Sequence, residues 1–201
     1  MMSAATTDKT AEGPLKREHH EQLALANQRA KKIRRAAGVA AFNGWAMAIC
    51  AVISAPFALF SFVGLLITVS LALLAANEFR GRKGLLRFDL KAPEALAWNQ
   101  LALLTIIVLY CAWTLYTSLS GGGALANELK AYPELTSSLD SVGGIDQLVT
   151  GVVVAVYGSV IVLSIIFQGL NAFYYFSCRK HIEAYVNETP EWIIELQRSS
   201  V

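Results

Sequence analysis

The sequence predicts an all-α integral membrane protein, an antiparallel four-helix transmembrane bundle with short amphipathic helices outside the spans. The first observation is composition: the 201 residues are 55% hydrophobic and only 16% charged, whereas about a quarter of the residues in soluble domains are charged. The second is patterning, because roughly 20 apolar residues are needed to cross a bilayer. Residues 36–76, 97–117 and 149–177 meet that length and contain no Asp, Glu, Lys or Arg.

The first of these regions is long enough for two spans. It contains Pro56, and proline lacks a backbone N–H and disfavours helix at the residue before it. We therefore predict two helices joined by a tight turn at Ser54-Ala55-Pro56; the alternative is one long, kinked helix with an exposed apolar end. The predicted spans are about 36–54, 57–77, 97–117 and 149–177, with an external loop at 118–148.

The basic residues predict the orientation of these spans. Of the 17 Lys and Arg, eight lie in residues 1–35, five in 78–97, one in 118–148 and three in 178–201. Loops rich in Lys and Arg stay on the cytoplasmic side of a membrane. The sequence therefore predicts a protein integral to the plasma (inner) membrane, with both termini and the 78–97 connection in the cytoplasm.

The N-terminal segment, residues 1–35, is predicted to be cytoplasmic, with residues 1–13 disordered and residues 14–35 a basic helix that leads into the first span. A Lys or Arg near anionic headgroups contributes about 1 kcal/mol of attraction. The helix is either a solvated basic collar or a docking surface for a partner. The predicted headgroup cluster, which includes residues of the 78–97 connection, is Arg29, Lys31, Lys32, Arg34, Arg35, Arg80, Arg82 and Lys83.

Two further segments have amphipathic patterns. Between glycine runs in the external loop, Leu125–Leu139 carries apolar residues at helical spacing, which favours a helix on the outer membrane surface. The cytoplasmic tail, residues 178–201, contains Thr189-Pro190-Glu191, a typical helix start. Its predicted apolar face is Trp192, Ile193 and Leu196, and we expect this tail to lie on the membrane or to dock on a partner.

Side-chain amides form the polar feature of the predicted spans. The predicted topology brings them toward the cytoplasmic leaflet, and in lipid such groups hydrogen-bond between helices, contributing roughly 0.6–2 kcal/mol each. We expect Gln168 and Asn171 to bond across to Asn43 or Asn99; the alternative is that the amides bind a ligand or a lipid headgroup. The predicted interhelical polar layer is Asn43, Asn77, Asn99, Gln100, Gln168 and Asn171.

The fourth span also has a predicted inward face at steps of four and three residues, and Gly151 and Gly158 are expected to allow close helix approach on a similar face. The six residues of this inward stripe are Tyr157, Ile161, Ser164, Gln168, Asn171 and Tyr175.

Several chemistries lack their residues in this sequence. No acid, base or histidine falls inside a predicted span, which argues against an ion-coupled carrier and a membrane haem. Cys50, Cys111 and Cys178 form no C-x-x-C pair, and no phosphate-binding glycine motif occurs. We therefore predict no catalytic, cofactor-binding or metal-binding residue, and no nucleic-acid partner.

The expected function follows from the scarcity of reactive groups. We predict a non-catalytic structural or accessory subunit of a membrane complex or homo-oligomer, with the lipid bilayer and other membrane proteins, or copies of itself, as partners. The alternative is a channel or facilitator for a small neutral solute. A third interpretation is a lipid-modifying enzyme whose headgroup site would use Asn77, Glu78 and the basic loop.

Overall fold

The computed structural model of the protein describes residues 16–120 and 145–200, of which 92% are helical and none is in a strand. The predicted disordered segment and the amphipathic helix at Leu125–Leu139 lie outside the described residues. The all-helical prediction is confirmed. The helices are α1 (Arg17–Ala58), α2 (Phe62–Leu86), α3 (Ala92–Leu119), α4 (Ile145–Glu188) and α5 (Glu191–Ser199). By length and composition, α1, α2, α3 and α4 could each cross a membrane.

The turn between α1 and α2 lies later in the chain than the predicted turn at residues 54–56. Helix α1 continues through Pro56, and the connection is residues 59–61. Ser61 provides the reason, because its side chain accepts a hydrogen bond from Gly64 N and so caps α2. A Cβ on Gly64 would lie 2.6 Å from the Phe57 carbonyl oxygen. The turn therefore requires glycine at residue 64.

The long helices pack as α1 against α2 and α3 against α4, with further contacts between α2 and α3 and between α1 and α4. Glycines allow the closest approach between α2 and α3. A Cβ on Gly81 would lie within 2.5 Å of Leu96 Cγ, and one on Gly84 would lie 2.7 Å from Ala92 Cβ. These two positions fix how closely α3 lies on α2.

The main core lies at one end of the helices. We call this the basal end, and it comprises residues 17–40, the 87–91 connection and α5. Helix α1 contributes a stripe of small side chains that brings its neighbours close. Buried residues of the basal core include Ala30, Ile33, Ala36, Ala37, Ala40, Leu85, Leu96, Ala97, Ala172, Tyr175, Ile182, Tyr185 and Ile193. A smaller cluster of Met47, Leu74, Ala75 and Leu103 lies farther along the helices. Toward the other end, the distal end with the 59–61 turn, the helices diverge around a cavity described below.

Helix α5 docks on the chain's own basal core, a contact that the sequence did not predict. Ile193 and Ile194 are buried, whereas Trp192 and Leu196 are 37% and 52% exposed. The predicted apolar face is therefore right for Ile193 and wrong for Leu196. The physical reason is that α1 and α4 extend beyond the predicted spans and offer α5 an apolar surface.

Polar contacts hold α5 in this position. Tyr185 Oη donates to Gln197 Oε1 at 2.7 Å, and Gln197 Nε2 donates to Asn27 Oδ1 at 3.2 Å. Arg198 Nε donates to the Arg87 carbonyl at 3.0 Å, in the connection between α2 and α3. Helix α5 thereby joins α1, α4 and the 87–91 connection at the basal end.

Phe88 ends α2 in a left-handed conformation, with φ 56°. Its N–H donates to the Leu85 carbonyl, and Asp89 N donates to the Gly84 carbonyl at 3.0 Å, the hydrogen-bond pattern of a Schellman cap. Glycine usually occupies this position. The buried Phe88 ring stacks on Tyr185 with centroids 4.4 Å apart, and this packing offsets the backbone cost.

Candidate functional site: a buried polar cluster beside a cavity

Glu78 is the centre of a polar cluster that joins all four long helices. Its Oε1 accepts hydrogen bonds from Asn99 Nδ2 at 2.9 Å and from Gln100 Nε2 at 2.6 Å, both on α3. Tyr175 Oη of α4 donates to Glu78 Oε2 at 3.4 Å. Asn43 Nδ2 of α1 in turn donates to Tyr175 Oη at 3.2 Å. Glu78 is completely shielded from solvent.

The predicted polar layer omits Glu78, because the predicted second span ends at residue 77. In the structure α2 continues to residue 86, and Glu78 lies on the buried stripe of that helix with Leu74, Ala75 and Gly81. The signal was available in the sequence: Glu78 follows Leu74 by four residues and precedes Gly81 by three. The expectation that no acidic side chain lies among the helices is therefore wrong. With Glu78 buried among the helices, the sequence no longer argues against an ion-coupled carrier.

The predicted polar layer divides into three groups. Asn99 and Gln100 are buried and bind Glu78, and Asn43 binds Tyr175. Gln168 and Asn171 are half-buried on the inner face of α4. Asn77 is exposed, and its oxygen accepts a bond from Arg80. Asn77 is therefore not part of an interhelical layer, because its neighbour Glu78 takes the inward position on α2.

The predicted bonds from α4 to the other amides are not made among the described residues. Asn43 uses Tyr175 instead, and Asn99 uses Glu78 and the Leu74 carbonyl. The Gln168 Oε1 atom is buried without a hydrogen-bond partner. The reason is spatial, because a cavity separates the amides of α4 from α1 and α3 at this level.

The cavity has a volume of about 970 Å³ and is lined by all four long helices. Most of its wall is apolar, including Met47, Leu71, Leu103, Ile106 and Val160. The described residues that line it include no Asp, Glu, Lys, Arg or His. Its polar side chains are four amides at the basal end (Asn43, Gln100, Gln168, Asn171) and Ser54, Ser61, Tyr110 and Tyr157 farther toward the distal end.

Helix α4 has an inner and an outer face. All six residues of the predicted inward stripe, Tyr157 to Tyr175, are buried or half-buried. Gly151 and Gly158 do not share that face: within the part of the chain that the structure describes, a Cβ on either would meet nothing within 4 Å. The expectation that they allow close packing within the chain is wrong, because the helix turns them about 120° away from the inner stripe.

The eight basic residues of the predicted headgroup cluster are all exposed. Within the part of the chain that the structure describes, three of them have side-chain partners: Arg29 forms an ion pair with Glu188 at 3.2 Å, Arg34 donates to Asn27, and Arg80 donates to Asn77.

A pocket of about 440 Å³ lies at the basal end, and its lining includes Arg29, Lys32, Lys180 and His181. Burial, with Lys32 and Lys180 nearby, lowers the pKa of His181. The positive charge of this pocket at neutral pH therefore comes from its Lys and Arg side chains.

Metal and thiol chemistry has no assembled site in residues 16–120 and 145–200. No group of three His, Cys, Asp or Glu side chains there could hold a metal ion. Cys50, Cys111 and Cys178 are free thiols; Cys50 and Cys111 line the cavity, and Cys178 lies in the basal core.

These features define a class: an all-helical protein with four helices long and apolar enough to span a membrane, joined by one buried acidic cluster. No protein-family model, curated protein or solved structure matches the chain.

Proposed function

We propose that the protein is a non-catalytic membrane protein, a structural or accessory subunit of a membrane complex or homo-oligomer. In this proposal α1 to α4 form an antiparallel four-helix bundle in the plasma (inner) membrane, with both termini and the basal end cytoplasmic. The distribution of basic residues supports the orientation. The basal core would then extend from the cytoplasmic side into the membrane, because Ala40, Ala97 and Ala172 belong both to this core and to the predicted spans, and the cavity would lie at membrane depth.

The observation that carries this proposal is the outer face of α4. In the most apolar stretch of each long helix, 11% of the α4 residues are buried, against 17% for α2 and 33% for α1 and for α3. Gly151, Ala155 and Gly158 follow one another along this face at steps of four and three residues; Gly151 and Ala155 are exposed and Gly158 is half-buried. In lipid, small residues at this spacing let a second helix approach closely, and van der Waals packing then drives association. The face is unused within the described chain and suits a partner helix.

The basal surface supports a second contact, with lipid. Exposed Lys and Arg side chains on α1 and α2 would lie beside the cytoplasmic headgroups in this orientation. Lys32 and Lys180 border the basal pocket between α1 and α4, and basic pockets at this depth suit anionic headgroups. The lipid contact would orient the protein and leave the α4 face free for its partner.

Mild-detergent purification tests the proposal. The tagged protein should elute with stoichiometric partner chains or as a homo-oligomer, measured by light scattering and mass spectrometry. The double variant Gly151→Leu, Gly158→Leu should lose most of this association, because branched side chains keep a second helix at a distance.

Gly38→Leu is the matched control, because Gly38 on α1 also has nothing within 4 Å of its Cβ position. This variant should retain the partner. A chain that purifies as a monomer alone, or a double variant that associates as well as the wild type, would contradict the proposal.

The cavity favours a second candidate, a facilitator for a small neutral solute. Its wall is uncharged among the described residues and combines apolar and hydroxyl groups. Flux of a neutral solute such as glycerol into proteoliposomes, above that of empty liposomes, would support this candidate. Equal flux in both would reject it.

The third interpretation, a lipid-modifying enzyme, loses its supporting geometry. Asn77 is exposed beside Arg80, whereas Glu78 is turned into the protein and fully buried. The two side chains therefore do not share a headgroup site, and we propose no enzymatic activity.

A further inference from the structure

We infer that the cavity between the four long helices binds one uncharged amphiphile, a hydrocarbon chain with a hydroxyl or carbonyl head held by the amides of Asn43, Gln100, Gln168 and Asn171. This inference concerns the inner faces of the helices, whereas the proposed association concerns the outer face of α4. Either can fail without the other.

The dimensions of the cavity fit an elongated ligand. Along α1 its lining runs from Phe42 to Phe57, and along α4 from Tyr157 to Asn171. At 1.5 Å per residue these stretches measure roughly 20 Å. The volume of about 970 Å³ is at the upper end of the range of about 300–1,000 Å³ usual for small-molecule sites. An extended chain with a small head fits this shape better than a compact solute.

The polarity of the lining orients that ligand. The four amides lie at the basal end, next to the Glu78 cluster, and Met47, Leu71 and Ile106 form part of the apolar wall beyond them. A hydrocarbon chain would pack along this wall, where the side chains are as apolar as the lipid tails it leaves. The head would then lie among the amides, in the half of the membrane that faces the proposed cytoplasmic side.

The charge of the lining selects an uncharged head. The described wall offers no cation for a phosphate or carboxylate. Glu78 is shielded behind Gln100 and Tyr175 and cannot pair with an ammonium group. A charged head would lose its hydration without a counter-charge, which is strongly unfavourable. Hydroxyl and carbonyl groups avoid this cost because carboxamides both donate and accept hydrogen bonds.

Gln168 shows that this hydrogen-bonding capacity is not used within the described chain. Its Oε1 is buried without a partner, and buried polar groups are nearly always hydrogen-bonded. Its side chain lines the cavity, and rotation about the last side-chain bond exchanges the positions of its oxygen and nitrogen. A ligand hydroxyl would satisfy this oxygen once the side chain turns it from its buried position into the cavity.

The basal end of the cavity is closed, which favours holding a ligand over passing one. Glu78 and Tyr175 are completely buried where they bind Gln100 and Asn43. Below them Ala36 and Ala40 of α1 belong to the same buried core as Ala97 of α3 and Ala172 of α4. A ligand entering from the apolar region would therefore stop at the amides.

Photolabelling of the full-length protein in lipid nanodiscs tests the inference. The probe is 1-oleoylglycerol with a photoreactive group in its acyl chain, and the comparison is lysophosphatidic acid with the same chain. We expect saturable labelling by the neutral probe on peptides that line the cavity, and at least about tenfold weaker labelling by the charged one. Equal, non-saturable labelling by both probes would overturn the inference.

Two matched variants locate the site. Ala46 lines the cavity, and Ala46→Trp should fill it and abolish saturable labelling. Ala72 is exposed on α2 and is not part of the lining, so Ala72→Trp should label as the wild type does. Full labelling of Ala46→Trp would overturn the inference.

The amides are tested separately, in case the tryptophan variant does not fold. The pair Gln168→Leu, Asn171→Leu should retain the wild-type melting temperature or exceed it, since Gln168 Oε1 has no partner to lose. Its affinity for the neutral probe should fall by about five- to tenfold, the effect of a lost hydrogen bond. Unchanged affinity would show that the head does not bind these amides.

Discussion

Gln100 of α3 donates a 2.6 Å hydrogen bond to the carboxylate of Glu78 in α2, and the two residues are 1% and 0% exposed. Tyr175 and Asn43 extend this contact to α4 and α1. One acidic side chain therefore connects all four long helices at the level where the basal core ends and the cavity begins.

The Glu78–Gln100 contact should be energetically coupled. Glu78→Leu leaves the Gln100 amide without its acceptor and removes one of the two acceptors of Asn99, and Gln100→Leu removes one of the bonds to a buried carboxylate. Each variant should lose about 1–3 kcal/mol of stability, measured by thermal unfolding in detergent. The double variant should lose less than the sum of the two. Asn77→Leu, at an exposed neighbouring position, should unfold as the wild type does; strictly additive losses would contradict the cluster.

The amide of Asn43 should couple to Tyr175 and not to Gln168. Asn43 donates to Tyr175 Oη at 3.2 Å, whereas Gln168 Oε1 has no partner. In double-mutant cycles measured by thermal unfolding, the free-energy losses of Asn43→Leu and Tyr175→Phe should be non-additive by about 0.6 kcal/mol or more. Asn43→Leu with Gln168→Leu should be additive. The opposite result would restore the direct amide bonds that the sequence suggests.

The tail helix should stabilise the protein itself. Ile193 is fully buried in the basal core, and truncating a buried isoleucine costs about 2–5 kcal/mol. Ile193→Ala should therefore lower the unfolding temperature. Leu196→Ala, at a half-exposed position of the same helix, should change it by little. If both variants melt like the wild type, α5 is not docked as described.

Topology can be measured with reporter fusions. The distribution of basic residues predicts that Leu90 and Val201 are cytoplasmic and that Ser138 is external. Alkaline phosphatase should be active only at residue 138, and green fluorescent protein should fluoresce only at residues 90 and 201. An external signal at residue 90 would mean that α1 and α2 do not both cross the membrane.

The sequence was sufficient for the helical class because length and hydropathy are local properties. Runs without charge predicted four apolar helices, and the spacing of Tyr157 to Tyr175 predicted the inner face of α4. The position of the first turn was wrong because proline is tolerated near a helix end, while the cap at Ser61 and the close approach at Gly64 decide where α2 begins.

The site itself could be predicted only in part. Asn43, Asn99 and Gln100 were recognised as polar groups between helices, but Glu78, which accepts from Asn99 and Gln100, was not. Glu78 belongs to the inner stripe of α2, and hydropathy assigns it to the charged connection that follows. The cavity and the docking of α5 depend on how whole helices diverge and meet, and no local pattern specifies that.

Site-specific photocrosslinking in intact membranes tests most directly whether the protein acts by association through α4. Val162 lies on the glycine face, one turn after Gly158, and Leu163 lies about 100° away; both are more than half exposed. A photoreactive amino acid at residue 162 should form an adduct with a second copy or another membrane protein, and one at residue 163 should label lipid alone. Lipid adducts alone at residue 162, or equal protein adducts at both positions, would contradict the proposed function.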